Sequence, residues 1–128
     1  MINDNTVNSL PHDHGQAIEN ELSNMPAADS FQTVADIFKQ LGDGSRIRIF
    51  WILCHCEECV INLSAMVNMS SPAISHHLKL LKSAELITSR RDGKEVYYTA
   101  ARNQEAQALH HMIEHMLKIA CPGLDEWA

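Results

Sequence analysis

Long apolar runs are what this sequence most plainly lacks. None approaches the roughly 20 residues that a helix needs to cross a bilayer, so no membrane-embedded role is expected. The segment from Met1 to Gly15 has neither a basic start nor an apolar stretch, so it is not read as a secretory signal, and a cytoplasmic location is expected. A glycine-rich phosphate loop is missing too. The cysteines and histidine of Cys54-His55-Cys56 are neighbours only along the chain, which is poor geometry for a nucleophile and its base. An enzyme is therefore not expected. Positive charge is scarce: 10 Lys and Arg stand against 16 Asp and Glu, for a formal net charge of −6. With 128 residues there is length for a single modest core.

The scarce positive charge is not spread evenly. Residues 71–94 carry five basic side chains (Lys79, Lys82, Arg90, Arg91, Lys94) and two acidic ones (Glu85, Asp92), a local balance of +3. Half of all Lys and Arg thus fall in one short stretch, and a local basic footprint decides phosphate contact more than total charge does. The four cysteines are uneven as well: Cys54, Cys56 and Cys59 cluster and Cys121 stands apart. In a reducing compartment such clustering points to metal or thiol chemistry rather than to disulfides.

Local patterns predict a mainly α protein with one small hairpin, in the order α-α-α-α-α-β-β-α. Residues 1–28 form an arm, disordered over 1–15 and with a short helix from about Gln16 to Asn24. Residues 29–121 form the domain, and 122–128 a short tail. Asp29 or Ser30 caps a helix whose apolar stripe is Phe31, Val34, Phe38 and Leu41. A buried helix runs from about Ser45 to His55. Asn62 is taken as the cap of a short helix ending at Asn68. Ser71 is taken as the cap of the next, with Pro72 at its first position. Two β-capable runs, Leu86–Arg91 and Lys94–Thr99, flank Asp92-Gly93, the signature of a two-residue hairpin. A last amphipathic helix over 102–120 has a wide apolar stripe, read as a homodimer seam.

Two short helices, a tight turn and a basic-tipped hairpin form a winged helix-turn-helix order. The second helix would enter the major groove, while Arg90, Arg91 and Lys94 at the hairpin meet phosphates. The stretches Leu41-Gly42-Asp43-Gly44-Ser45-Arg46-Ile47-Arg48, Ser71 to Leu81 and Arg90 to Tyr98 resemble the ArsR/SmtB family of metal-responsive repressors. The resemblance spans roughly residues 30–120. It implies a homodimer paired through its first and last helices. It also implies that the metal-free form represses, that inducer binding releases DNA, and that the operator is an imperfect palindrome. By family position, Ser71, Ser75, His76 and Lys79 are the groove-contacting residues.

The sulfur cluster is the sensing candidate. Thiolates bind soft and borderline ions, and Cys-x-x-Cys spacing lets two sulfurs reach one ion. Cys54, Cys56 and Cys59 are the proposed metal ligands, with Cd(II), Pb(II), Zn(II) or As(III) as inducer. Cys59 falls on a family cysteine position. Ile61 stands where the family has a second cysteine, and Asn62 where some zinc sensors have aspartate. Secondary candidates are His12 and His14 in the arm, where some family members add ligands, and the i, i+4 pair His111 and His115. A family site on the last helix has its histidine at His115, but its other positions hold Arg102, Gln104 and Lys118. His55 is read as a surface residue. The alternative is a thiol-redox or persulfide-sensing repressor of the same fold, although the redox position of such relatives is Trp51 here.

Overall fold

A computed structural model describes residues 10–123. Residues 1–9 of the arm and 124–128 of the tail lie outside the described range, as do the expectations placed on them. The chain divides into two units, one up to Asp36 and one from Ile37 onward. The described elements are five helices, a hairpin and a final helix, in the expected order.

In the first unit, residues 10–18 have no regular secondary structure. They lead into a one-turn helix, α1 (Glu19–Ser23), which has no side-chain cap. The next helix, α2 (Ala28–Gln40), starts one residue before the expected cap and continues past Asp36, so that its last turn belongs to the second unit. Asp29 therefore sits in the first turn, where its charge complements the helix dipole, and its carbonyl accepts from the Thr33 hydroxyl. Phe31, Val34 and Phe38, most of the stripe identified from the sequence, are about half exposed.

The second unit is built on α3 (Gly44–His55), capped by Asp43, whose carboxylate accepts from the Arg46 N–H at 2.9 Å. Ile49, Phe50 and Leu53 are at most 1% exposed, so α3 is the central helix. The helix α4 (Val60–Val67) begins earlier than expected. Cys59 takes the N-cap position, and Asn62 lies in the first turn, its amide donating to Glu58 Oε1 at 2.8 Å. The same carboxylate oxygen accepts from the Cys59 N–H at 3.1 Å, which gives this helix start an anion that an asparagine cap would not supply.

Asn68 ends α4 in the left-handed region at φ 56°. The helix α5 (Ser71–Ser83) is capped by Ser70, not Ser71: the Ser70 hydroxyl accepts from the Ala73 N–H at 3.3 Å. Pro72 is thus at the second helical position, where its missing N–H is still unneeded. The end of α5 is a Schellman closure. Glu85 N–H donates to the Lys82 carbonyl and Leu86 N–H to the Leu81 carbonyl, with Glu85 at φ 62°.

The strands β1 (Ile87–Asp92) and β2 (Glu95–Ala100) pair antiparallel, with Asp92 opposite Glu95. The turn residues are accordingly Gly93-Lys94 rather than Asp92-Gly93. Gly93 has φ +66° and Lys94 does not share a positive φ, which is the type II′ pattern with glycine first. Finally, α6 (Gln104–Ala120) is capped by Asn103, whose side chain accepts from the Ala106 N–H at 2.8 Å. Among the described residues no helix is long and apolar enough to cross a membrane.

Candidate nucleic-acid interface and sulfur junction

The helix α5 divides its two faces cleanly. Ile74, Leu78 and Leu81 enter the core, and Ser71, Ser75, His76 and Lys79 are all exposed on the other side. Of the two adjacent histidines, His77 is the core residue, 8% exposed. Its Nδ1 accepts from Arg46 Nε at 3.1 Å, which ties α5 to the start of α3. Burial, helped by the Arg46 cation, pulls the His77 pKa below its ordinary value, against the opposing carboxylate of Asp43. A neutral ring is what accepting from arginine requires.

At the hairpin, Arg91 and Lys94 are exposed, and among the described residues neither has a carboxylate within 4.0 Å. Arg90 is differently placed. Its guanidinium forks onto Glu57 with two bonds of 2.7 Å, from Nε and Nη2, and lies 4.9 Å over the Tyr97 ring. The guanidinium holds the Glu57 carboxyl below the usual carboxylate range, and Glu57 raises Arg90 in turn. A second link runs through the backbone: Glu58 and Tyr98 exchange two hydrogen bonds, at 3.0 and 2.8 Å. The Thr99 hydroxyl donates to the carbonyls of Leu53 and Cys56. The loop between α3 and α4 is therefore fastened to the wing at three successive points of β2 or its partner strand. Nothing local in the sequence signals this, because the paired residues are 33 to 46 positions apart.

Cys56 and Cys59 lie in that loop, and Cys54 in the last turn of α3. Cys59 is buried at the N-cap of α4, Cys54 is half-buried and Cys56 exposed. Cys54 and Cys56 line one cavity of about 370 Å³ together with His55 and His110; Cys59 does not line it. Burial, then the nearby Glu114 charge, pushes the Cys54 thiol up to about 11. Cys56 is raised too, by burial first and Glu58 second. The three thiols do not converge with one another in this arrangement: among the described residues the one group of three donors within 4.8 Å is His55, His110 and Glu114.

That trio was not legible as a unit. Glu114 Oε2 accepts from the Trp51 indole N–H at 2.7 Å and lies 3.5 Å from His55 Nε2 and 3.4 Å from His110 Nε2. The Trp51 bond, then the neighbouring histidines, keeps its carboxyl below the usual range. His111 and His115, the pair chosen from the sequence, are exposed on α6. The same i, i+4 spacing one position earlier, His110 and Glu114, flanks the buried residues Leu109 and Ile113 and so faces α3. In the arm, His12 and His14 stack with ring centroids 5.8 Å apart.

One exposed strip of α6 is apolar. Phe38, Met112 and Met116 are 51%, 41% and 53% exposed, and they line, with Leu41 and Ile47 among others, an open groove of about 540 Å³.

Comparison with known proteins gives this architecture a lineage. The model of the family "Bacterial regulatory protein, arsR family" matches residues 43–89, from the cap of α3 into β1. The transcriptional repressor SmtB homolog of Synechocystis sp. is 32% identical over 103 residues, 80% of this chain and 78% of that protein. The cadmium resistance transcriptional regulatory protein CadC homolog of Staphylococcus aureus is 33% identical over 91 residues, 70% and 75% of the two chains. Among solved structures, the homodimeric winged helix-turn-helix DNA-binding domain of a possible ArsR-family transcriptional regulator from Mycobacterium bovis superposes with a TM-score of 0.64. It shares 27% identity and covers 78% of this chain and 94% of its own. The two sequence relatives are regulators of transcription by name, and the Mycobacterium bovis protein is a possible one. The agreement in sequence, helix order and wing means that this chain is itself a winged helix-turn-helix transcriptional regulator and belongs to the ArsR family.

Proposed function

We propose that the chain is a metal-responsive repressor, acting in the cytoplasm as a homodimer on double-stranded operator DNA. The observation that carries this reading is the fastening of the 56–59 loop to the wing, through Glu58–Tyr98 and Glu57–Arg90, immediately before the DNA-reading helices. Any change in the loop is then felt at the wing and at the start of α4.

Ser71, Ser75, His76 and Lys79 read the major groove, and Arg91 and Lys94 meet the backbone, joined by Arg90 when Glu57 releases it. The exposed groove of Phe38, Met112 and Met116 is the seam between copies, and two reading heads facing one side of a duplex call for an imperfect palindrome. Cys54, Cys56 and Cys59 are the inducer's ligands, with His12 and His14 of the arm and His111 and His115 of α6 as secondary candidates. Sulfur-only donors suit Cd(II), Pb(II) or As(III), and Zn(II) where nitrogen joins them. When bound, such an ion supplies bonds that draw these sulfurs together. Two of the thiols are raised rather than lowered, so they are poor free nucleophiles, which weighs against the thiol-redox alternative.

The test follows anisotropy of the labelled promoter DNA of the chain's own gene with the reduced protein while each ion is added. DNA binding without metal and release by at least one of these ions is expected. Cys56→Ser and Cys59→Ser should bind DNA normally and ignore the ion. Normal release from both variants would remove the cysteines from the sensing role.

A further inference from the structure

A second donor cluster, with no thiol among its three donors, lies on the packed faces of α3 and α6, beside the cavity that Cys54 and Cys56 line. His55 ends α3; His110 and Glu114 are one turn apart on α6. We propose that His55, His110 and Glu114 form a binding site for a divalent cation of borderline character, Zn(II) or Co(II) in type, that cross-links α3 to α6 within one chain.

Three observations support the site. The first is spacing. Metal–ligand bonds of about 2.1 Å at tetrahedral angles set neighbouring donor atoms about 3.4 Å apart. Glu114 Oε2 stands 3.4 Å from His110 Nε2 and 3.5 Å from His55 Nε2. The third edge is within 4.8 Å, so a small closing movement completes the triangle. The second is an unmet need: His110 Nε2 is buried and has no hydrogen-bond partner, although it faces Glu114. A buried polar atom without a partner is costly, and a metal bond satisfies it. The third is orientation. The Trp51 indole N–H donates to Glu114 Oε2, the oxygen that faces both histidines; it occupies one lone pair of that oxygen, fixes the carboxylate's direction and leaves the second lone pair for an ion. The His55 ring packs on Trp51 at 4.2 Å between centroids and meets the His110 ring edge-on at 5.0 Å.

Two imidazoles and one carboxylate select a borderline ion over the hard Mg(II) or Ca(II) and over the softest thiophiles. Three protein donors leave a fourth position for water or an outside ligand, and the adjoining cavity of about 370 Å³ gives it room. His55 directly precedes Cys56, so the ion would anchor the end of α3 from which the fastened loop departs. The site stands without the cysteine reading, because no thiol is needed to build it.

The test uses the full chain with Cys54, Cys56, Cys59 and Cys121 all changed to Ser, titrated with Co(II) at neutral pH. One Co(II) per chain is expected, with visible d–d absorption and no sulfur-to-cobalt charge-transfer band. Adding His55→Ala or Glu114→Gln should weaken binding by more than about tenfold, whereas adding His111→Ala or His115→Ala should not. Trp51 emission should change on Zn(II) addition in the same protein carrying Trp127→Phe. Should the serine variant not fold, Zn(II) added to the reduced native chain reads the same question by imidazole NMR, where His55 and His110 should shift. Unchanged Co(II) affinity in His55→Ala and Glu114→Gln overturns the site, as do NMR shifts that spare both His55 and His110. Loss of the DNA response in Cys56→Ser, with Co(II) still bound by the all-serine chain, upholds this site alongside the cysteine sensor; the same loss with no Co(II) bound by the all-serine chain removes this site and leaves the sensor.

Discussion

Glu57 and Arg90 show how one carboxylate can set what a cation is free to do. Both side chains are solvent-accessible, yet the two 2.7 Å bonds hold the guanidinium toward the cysteine loop. Replacing Glu57 with Gln should release Arg90 to phosphate. The expected result is tighter metal-free DNA binding and a salt dependence steeper by about one unit of log–log slope. Equal slopes for the two proteins would show that Arg90 stays out of the interface. Glu85 offers a separate test, on stability. It occupies the left-handed closing position of α5, where an L-residue is strained and glycine is not. Its interactions there run through the backbone, including the Asn103 amide bond to its carbonyl. Glu85→Gly should therefore raise unfolding free energy by about 1 kcal/mol in urea titrations.

His77 adds a pH dependence of known sign. Its folded pKa is lowered from 6.5, so the unfolded chain binds the proton more readily. The stability it lends is complete above about pH 6.5 and drains away as pH falls through the lowered folded value. Urea midpoints of the native chain should fall more steeply below pH 6.5 than those of His77→Gln; parallel curves would contradict a buried neutral ring. His76 lies on the exposed face expected of a groove contact, whereas His77 is buried in the core, a place that the inward-facing set read from helical spacing did not include. The caps were less legible. Cys59 and Ser70 each took a position expected for a downstream neighbour, because Glu58 supplies the acceptor at one helix start and Pro72 tolerates the second helical position at the other.

At the scale of elements, α6 carries two apolar faces with different fates. Ala106, Leu109 and Ile113 are buried, whereas Met112, Met116 and Ile119 are 41–61% exposed. The sequence stripe put Met112 and Met116 together with the buried set and left Ile119 out, since periodicity reports hydrophobicity and not which neighbour covers it. The distinction is testable by paired substitutions. Leu109→Ala should cost about 2–5 kcal/mol of stability through cavity formation. Met116→Glu should leave the fold intact and shift the sedimentation equilibrium from dimer to monomer, with loss of operator binding. An unchanged dimer in Met116→Glu would place the seam elsewhere. The hairpin and the helix order were legible because each is a local pattern. The attachment of β2 to the cysteine loop was not, because Glu58 and Tyr98 are brought together only by the packing of α3 against the sheet.

For the molecule as a whole, the excess of acidic side chains does not prevent a cationic reading head. Lys79, Arg91 and Lys94 are exposed within a stretch of +3, and the acidic residues are concentrated in the remainder of the chain. The raised thiols of Cys54 and Cys56 have a consequence at this scale also. Each must lose a proton to become a ligand, so inducer binding should release protons and strengthen as pH rises. Calorimetry in buffers of different ionisation enthalpy measures that release directly.

The whole reading depends on coupling between the cysteine loop and the DNA-binding surface, and coupling is reciprocal. The most direct measurement is therefore the affinity of the reduced chain for Cd(II), free and in complex with its promoter DNA. The metal should bind the free protein more tightly, by the same factor by which saturating Cd(II) weakens DNA binding. Equal Cd(II) affinities in the two states would contradict the account, however tightly either ligand binds.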